Sequence, residues 1–122
     1  MSYKFFNANA HGNFVNDCTI RAISVAEGKT WDETYQELSE IAQQNGIILD
    51  DVNFIEPLLD NRYQRVCYNQ KYVGDFVEEH SKGTFLITMN GHITCCIDGV
   101  IYDTFDCRDR MMWCAWYVPN FR

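Results

Sequence analysis

The fold is decided by residues 83–105, GTFLITMNGHITCCIDGVIYDTF, where apolar runs alternate with turn-forming dipeptides. The dipeptides Asn90-Gly91 and Asp98-Gly99 are typical of tight hairpin turns. Three such runs lie within this stretch and a fourth follows it, and all are rich in β-branched, aromatic or other apolar residues. They predict four strands: Thr84 to Met89, Ile93 to Ile97, Val100 to Phe105 and Met112 to Val118. The first three are therefore expected to form an antiparallel meander.

Helical periodicity prevails before this stretch. Apolar residues from Cys18 to Val25 share one stripe of a predicted helix at about 17–27, and Asn16 or Asp17 can cap its free N–H groups. Three further helices are predicted at 30–45 behind a Thr-x-x-Glu capping box, at 51–60 with an interruption near Pro57, and at 73–80. Helices that precede strands favour an α+β fold, with N-terminal helices packed on a C-terminal antiparallel sheet.

Length and composition indicate a single domain spanning residues 1–122. The chain has 122 residues, of which 47% are hydrophobic, and this is enough for one core. The sequence contains no repeat and no low-complexity segment. The first dozen residues have no period and are expected to form an extended arm, packed by Tyr3, Phe5 and Phe6.

Charge and hydropathy exclude several classes of partner. The chain has 10 basic and 17 acidic side chains, hence a net charge of −7, and the basic residues are scattered. A nucleic-acid partner is not expected, because phosphate binding requires a basic surface. Since no apolar run is long enough for a membrane span and the N-terminal segment lacks an apolar signal core, we expect a cytoplasmic protein that does not contact membranes.

The six cysteines are expected to be free thiols, because a reducing compartment disfavours disulfides. Cys95 and Cys96 are adjacent and would point to opposite faces of a strand, and the remaining spacings lack the short cysteine pairs of zinc sites. We therefore expect no metal ion and no cofactor.

Three residues can combine into a catalytic site. Cys18 lies in the first turn of a predicted helix, where peptide dipoles and free N–H groups favour a thiolate. His92 follows a hairpin turn and can deprotonate this thiol, and Asp103 can orient the imidazole. Taken singly, such a cysteine is more often a small buried apolar residue, the histidine a solvated turn residue and the aspartate a charge at a sheet edge. Only their combination points to catalysis.

The choice of Asp103 depends on strand register. If the Asp-Gly dipeptide supplies both turn residues, Asp103 lies opposite Thr94 and diagonal to His92 on the same face of the sheet. Asp106 falls on the other face unless a bulge intervenes, so Asp103 is preferred. One inserted residue would reverse this assignment.

Much of the chain between residues 7 and 107 resembles the small papain-like cysteine peptidase-type proteins of bacterial and phage genomes. The segments that carry this resemblance are NDCTIRAIS at 16–24, TWDETYQEL at 30–38 and VGDFVEEHSKGTFLITMNGHITCCIDGVIYDTFDC at 73–107. The resemblance implies a trimmed papain-like fold, with Cys18 as nucleophile, His92 as general base and acid, and Asp103 as the orienting residue. It also implies a protein or peptide substrate and a thioester intermediate.

Papain-like enzymes carry a Gln or Asn shortly before the nucleophile, which helps to hold the oxyanion. This chain has no Gln there; Asn13 has the most similar spacing, and Asn9 and Asn16 are also available. The residue after Cys18 is Thr19, whereas larger papain-like enzymes commonly have Gly. A Cys-His-Asp site serves peptide hydrolysis, deamidation, isopeptide cleavage and acyl transfer equally well, because all of them pass through a thioester.

An alternative interpretation is a catalytically silent binding module that engages a host or partner protein, or a second copy of itself as a homodimer. Aromatic residues make up 15% of this acidic chain. Those near its end could form an exposed patch or simply pack the last strand. They are Trp113, Trp116, Tyr117 and Phe121.

Overall fold

The computed structural model describes residues 3–13, 16–49, 52–66 and 71–119. Within these ranges the chain has four helices and one sheet of six strands, which confirms the predicted α+β class. In chain order the elements are β1 (Tyr3–Phe5), α1 (Cys18–Glu27), α2 (Trp31–Gln44), α3 (Val52–Arg62), β2 (Gln64–Val66), α4 (Val73–Glu79), β3 (Thr84–Met89), β4 (His92–Ile97), β5 (Val100–Asp103) and β6 (Met112–Val118). Over the same ranges, no helix is both long enough and apolar enough to cross a membrane.

The strand order in the sheet is β1-β5-β4-β3-β6-β2. Strands β3, β4 and β5 form the predicted antiparallel meander, and the hairpins close at the pairs Met89–His92 and Ile97–Val100. Both predicted dipeptides are therefore two-residue turns. In the second turn Asp98 and Gly99 have φ values of 48° and 78°, which match the twist of the flanking strands.

Two short edge strands complete the sheet, and the sequence pattern predicts neither of them. Strand β1 pairs in parallel with β5, and β2 pairs antiparallel with β6. The N-terminal arm also packs less completely than expected, because Phe5 is 56% exposed and Phe6 is 46% exposed, whereas Tyr3 is half-buried. Strands of three residues are too short to display an alternating pattern.

The element boundaries follow local chemistry. The capping box of α2 forms as predicted, since Thr30 Oγ1 accepts the Glu33 N–H at 3.1 Å and Glu33 Oε1 accepts the Thr30 N–H at 3.0 Å. The expected interruption near Pro57 is wrong, because α3 continues through this residue. Pro57 is the sixth of the eleven residues of α3, so it removes one intrahelical N–H donor without ending the helix. Strand β5 ends two residues earlier than predicted, at Asp103, whose Oδ1 accepts the Thr104 N–H at 2.7 Å.

Apolar side chains cover both faces of the sheet. Helices α1, α2 and α3 pack on one face, with Ile23, Leu38 and Leu86 among the fully buried residues. Helix α4 packs on the other face, where Phe76 and Ile87 are fully buried. This arrangement fixes the start of α1 beside the start of β4, where the candidate catalytic residues lie.

Candidate active site

Cys18 is the first residue of α1 and is partly buried. Burial alone would raise the pKa of its thiol. However, hydrogen bonds from His92 and from the Ile93 N–H, together with the positive charges of His92 and Arg21, lower this pKa below its usual value. The surroundings of Cys18 therefore favour a thiolate.

His92 opens β4 and is held between Cys18 and Asp103. Its Nε2 lies 2.7 Å from Asp103 Oδ2, which leaves the other ring nitrogen, Nδ1, available to Cys18. Burial disfavours the charged ring, but the hydrogen bond to Asp103 and the contact with Cys18 raise the pKa of His92 to about 9. A protonated ring beside a thiolate is the charge state that these contacts stabilise.

Asp103 lies at the end of β5 and is 4% exposed. Burial would raise the pKa of its carboxyl group, but the hydrogen bond from His92 and the positive charge of that ring keep this pKa below its usual value. The pair Cys95–Tyr102 shows the register in which Asp103 follows opposite Thr94, as predicted. The alternative residue, Asp106, lies away from His92 and pairs with Arg108 at 2.6 Å.

A buried charged pair, Asp17 and Arg21, adjoins these residues; the sequence analysis considered Asp17 as a helix cap and assigned no role to Arg21. Asp17 Oδ1 accepts a hydrogen bond from Arg21 Nη1, and Asp17 Oδ2 accepts one from Trp31 Nε1 at 2.8 Å. Arg21 Nη2 lies 3.5 Å from Asp103 Oδ1. The sequence does contain an indication of this ion pair, because an aspartate and an arginine four residues apart flank the helical cysteine.

The three asparagines proposed as oxyanion donors have different surroundings. Asn9 is buried, and its Nδ2 donates to Asn13 O and to Asp17 Oδ2 at 3.4 and 3.5 Å. Asn13 is exposed, and its backbone carbonyl oxygen accepts hydrogen bonds from the side-chain amides of Asn7 and Asn9. Of the three, Asn16 lines the cleft that contains Cys18. The Asp17 side chain, although at the N-cap position, makes no capping hydrogen bond to the described residues of α1.

A cleft of about 430 Å³ opens beside Cys18 and His92. Its walls come from segments that are distant in sequence: the start of α1, the segment before α3, α3 itself, the turn between β3 and β4, and β6. The apolar side chains that line it include Leu49, Ile55, Met89 and Trp113. The sequence analysis did not identify this cleft, because no local pattern relates these segments.

One group of potential metal ligands exists among the described residues. The ligand atoms of His92, Asp103 and Cys107 lie within 4.8 Å of one another. Burial and the charge of Asp103 raise the pKa of the Cys107 thiol to about 12. A metal ion here would have to displace both this thiol proton and the hydrogen bond between His92 and Asp103.

The remaining cysteines and the aromatic residues near the end of the chain differ in their surroundings. The five described cysteines form no disulfide with one another, and Cys67 lies outside the described residues. Trp113 and Tyr117 are 51% and 39% exposed, whereas Trp116 is fully buried. Phe121 lies outside the described residues.

Comparisons with known protein families, curated proteins and solved structures found no match for this chain.

Proposed function

We propose that the protein is a thiol-dependent hydrolase with a papain-like site, which cleaves an amide bond of a protein or peptide through Cys18, His92 and Asp103. One observation carries this proposal: His92, which the buried Asp103 carboxylate holds at 2.7 Å, lines the same cleft as Cys18 and lowers the pKa of the Cys18 thiol. A nucleophile, a base and an orienting group in contact are the arrangement that activates a thiol.

The chemistry follows from the charges of these groups. The Cys18 thiolate attacks the carbonyl carbon of the substrate, and the electron pair of the C=O bond moves to oxygen. The protonated His92 then donates its proton to the leaving nitrogen, and a thioester remains on Cys18. Water attacks this thioester while His92 accepts a proton from it, which releases the carboxylic acid and restores the Cys18 thiolate beside the protonated His92.

The oxyanion formed in the first step requires hydrogen-bond donors close to Cys18. The first turn of a helix presents free backbone N–H groups, and the Cys18 N–H belongs to such a turn. Asn16 lines the same cleft and supplies a side-chain amide. We propose these two groups as the oxyanion donors, in place of the Gln of larger papain-like enzymes.

The papain-like assignment has support from the placement of the three residues. The nucleophile opens a helix that packs across an antiparallel sheet, and the histidine and aspartate come from two neighbouring strands of this sheet. Asp103 occupies the orienting position, where a papain-like site has Asn or Asp. The cleft of about 430 Å³ beside Cys18 has the size of a ligand pocket and an apolar lining against which a side chain of a peptide substrate can pack.

The test is covalent labelling with a peptide vinyl sulfone, followed by mass mapping of the modified residue. The label is expected on Cys18, and Cys18→Ser should abolish it. Cys114→Ser is the matched control, since Cys114 is also a partly buried thiol, and it should leave the labelling unchanged. Turnover of a mixture of fluorogenic peptide amides, absent in Cys18→Ser, would extend the result from nucleophile to hydrolase. Labelling of Cys114 as fast as Cys18 would refute the proposal.

A second candidate function is a binding module that engages a partner protein. The observation in its favour is a group of exposed apolar side chains: Tyr72, Met111 and Trp113 are each 51–52% exposed, and Tyr72 bridges to Met111. Such a module requires no reactive thiol. Partner binding that survives in Cys18→Ser, together with failure of Cys18 to react with electrophiles, would favour this function over hydrolysis.

A further inference from the structure

We infer that Arg21 and Asp17 are positioning residues, which hold the carboxylate of Asp103 so that His92 faces Cys18. The inference rests on the proposed function and adds to it two residues that the catalytic mechanism does not otherwise use. It follows from a continuous series of contacts that runs from Asp17 through Arg21 and Asp103 to His92.

Arg21 joins the helical half of the site to the sheet. It lies on α1 one turn after Cys18, and its side chain is 11% exposed. One terminal nitrogen, Nη1, donates to Asp17, and the other, Nη2, lies 3.5 Å from Asp103 Oδ1. The planar guanidinium can therefore fix two carboxylates at once, which a lysine cannot do with a single nitrogen.

Both oxygens of Asp103 have partners. Oδ2 accepts from His92 at 2.7 Å, and Oδ1 accepts the Thr104 N–H at 2.7 Å and faces Arg21. A carboxylate held at both oxygens cannot rotate freely. The direction of Oδ2, and with it the orientation of the imidazole ring, is therefore set partly by Arg21.

The Asp17 carboxylate accepts hydrogen bonds from side chains, Arg21 among them, and makes no capping hydrogen bond to the backbone of α1. An aspartate at an N-cap normally accepts a backbone N–H from the first turn. Here the carboxylate is buried, and it accepts from Arg21, from Trp31 Nε1 at 2.8 Å and from Asn9 Nδ2 at 3.5 Å. This diversion leaves the first-turn N–H groups of α1 available to the Cys18 thiolate or an oxyanion.

Charges of alternating sign explain how so many ionised groups can be buried together. The series is Asp17, Arg21, Asp103, His92 and Cys18, which alternates between negative and positive when the thiol is ionised. An unpaired buried charge is costly, whereas each member of this series has an oppositely charged neighbour. Loss of Arg21 would remove the positive group between the buried carboxylates of Asp17 and Asp103 and would leave His92 as the positive partner of Asp103.

The test measures the rate at which iodoacetamide modifies Cys18 as a function of pH. The charged and titratable groups that face the site are Asp17 and Arg21 at α1, Glu56 on α3, His92 on β4, Asp103 on β5, and Cys107 after β5. At pH 6 we expect Arg21→Met to reduce the rate roughly tenfold and to move the pH profile upward. Arg21→Lys keeps the charge and loses the planar fork, so it should restore part of the rate.

A matched control separates this effect from a general loss of stability. Arg62→Met also removes a largely buried arginine, which pairs with Glu27 at 2.7 Å on the side of the fold formed by α1 and α3. It should lower the melting temperature without changing the pH profile of Cys18. If Arg21→Met does not fold, Asp17→Asn, which keeps the size of the side chain, is expected to shift the profile in the same direction.

The double variant Arg21→Met/Asp103→Asn distinguishes positioning from a direct charge effect on the thiol. If Arg21 acts through Asp103, the double variant should react at nearly the rate of Asp103→Asn alone. The inference would be overturned if the effects of the two changes on the alkylation rate multiplied in the double variant. It would also be overturned if Arg21→Met folded and kept the pH profile of the unchanged protein. Failure of the proposed function has another outcome: in the unchanged protein, Cys18 would react no faster than Cys114.

Discussion

His92 Nε2 lies 2.7 Å from Asp103 Oδ2, across two strands joined by a two-residue turn. The pairing register makes the two residues diagonal neighbours, and burial removes water that would compete for their hydrogen bond. Their contact is thus a consequence of the length of one turn.

We expect this pair to act as a unit. His92→Ala should slow alkylation of Cys18 at pH 6 by about tenfold or more, because the thiol loses its positively charged partner. Asp103→Asn should have a smaller effect, and the double variant should resemble His92→Ala alone, since residues that serve one proton transfer are not additive. Peptide mapping after timed alkylation gives the rates.

Asp106→Asn is the control for this prediction. Asp106 is exposed and pairs with Arg108, so the change should leave the reactivity of Cys18 unaltered. If Asp106→Asn slowed alkylation while Asp103→Asn did not, the assignment of the orienting carboxylate would be wrong.

The thiols should differ in reactivity according to their surroundings. Cys18 is expected to react first with iodoacetamide at pH 6, because its pKa is lowered by His92 despite burial. Cys96 and Cys107 should be nearly inert, since burial raises the pKa of their thiols to about 11 and about 12. Mass mapping of each cysteine after brief alkylation would test this order, and faster modification of Cys107 than of Cys18 would contradict it.

The contact between His92 and Asp103 could be predicted because hairpin turns are local. Asn90-Gly91 and Asp98-Gly99 determine which residues pair, and the pairing places the histidine beside the aspartate. The start of α1 at Cys18 was predictable for a similar reason, since the apolar spacing of a helix is local, although the Asp17 side chain does not make the expected capping hydrogen bond.

Long-range relationships were not predictable in this way. The pairing of β1 with β5 joins segments almost a hundred residues apart, and nothing within Tyr3–Phe5 indicates its partner. The approach of Arg21 to Asp103 likewise depends on how α1 lies across the sheet. The approach of Cys107 to Asp103 and His92 depends on the path of the chain after β5, which no strand pattern indicates.

Trp113 is expected to contribute to substrate binding. Its side chain is 51% exposed and lines the cleft with Cys18, so an aromatic group of a substrate can pack against it. Trp113→Ala should reduce labelling by a phenylalanyl vinyl sulfone about fivefold, which corresponds to about 1 kcal/mol. The rate with iodoacetamide, which is too small to reach the cleft wall, should stay the same.

Tyr117→Ala is the matched control, because Tyr117 is an exposed aromatic on the same strand and does not line the cleft. Its labelling rate should equal that of the unchanged protein. Equal losses in both variants would indicate a general effect on β6, in place of a contact with substrate.

The titration of Cys18 should mask the effect of His92 on the pH dependence of the free energy of unfolding. The pKa of His92 is raised from 6.5 to about 9 on folding, so its contribution is complete below pH 6.5 and is lost as the pH rises to about 9. The pKa of Cys18 is lowered from 9.0, so its contribution is present above pH 9.0 and is lost as the pH falls. Across this window the two contributions oppose each other.

Cys18→Ala removes one of these contributions and should reveal the other. Asp103 still raises the pKa of the ring in this variant, although Cys18 no longer contributes to it. The free energy of unfolding of Cys18→Ala should therefore fall relative to that of the unchanged protein as the pH rises above 6.5, and the fall should end below pH 9. Urea denaturation at several pH values measures the difference, and Cys18→Ala/His92→Gln should abolish the fall. Cys114→Ala is the control and should run parallel to the unchanged protein. A Cys18→Ala profile that also ran parallel would mean that the thiol and the imidazole do not share a proton in the folded state.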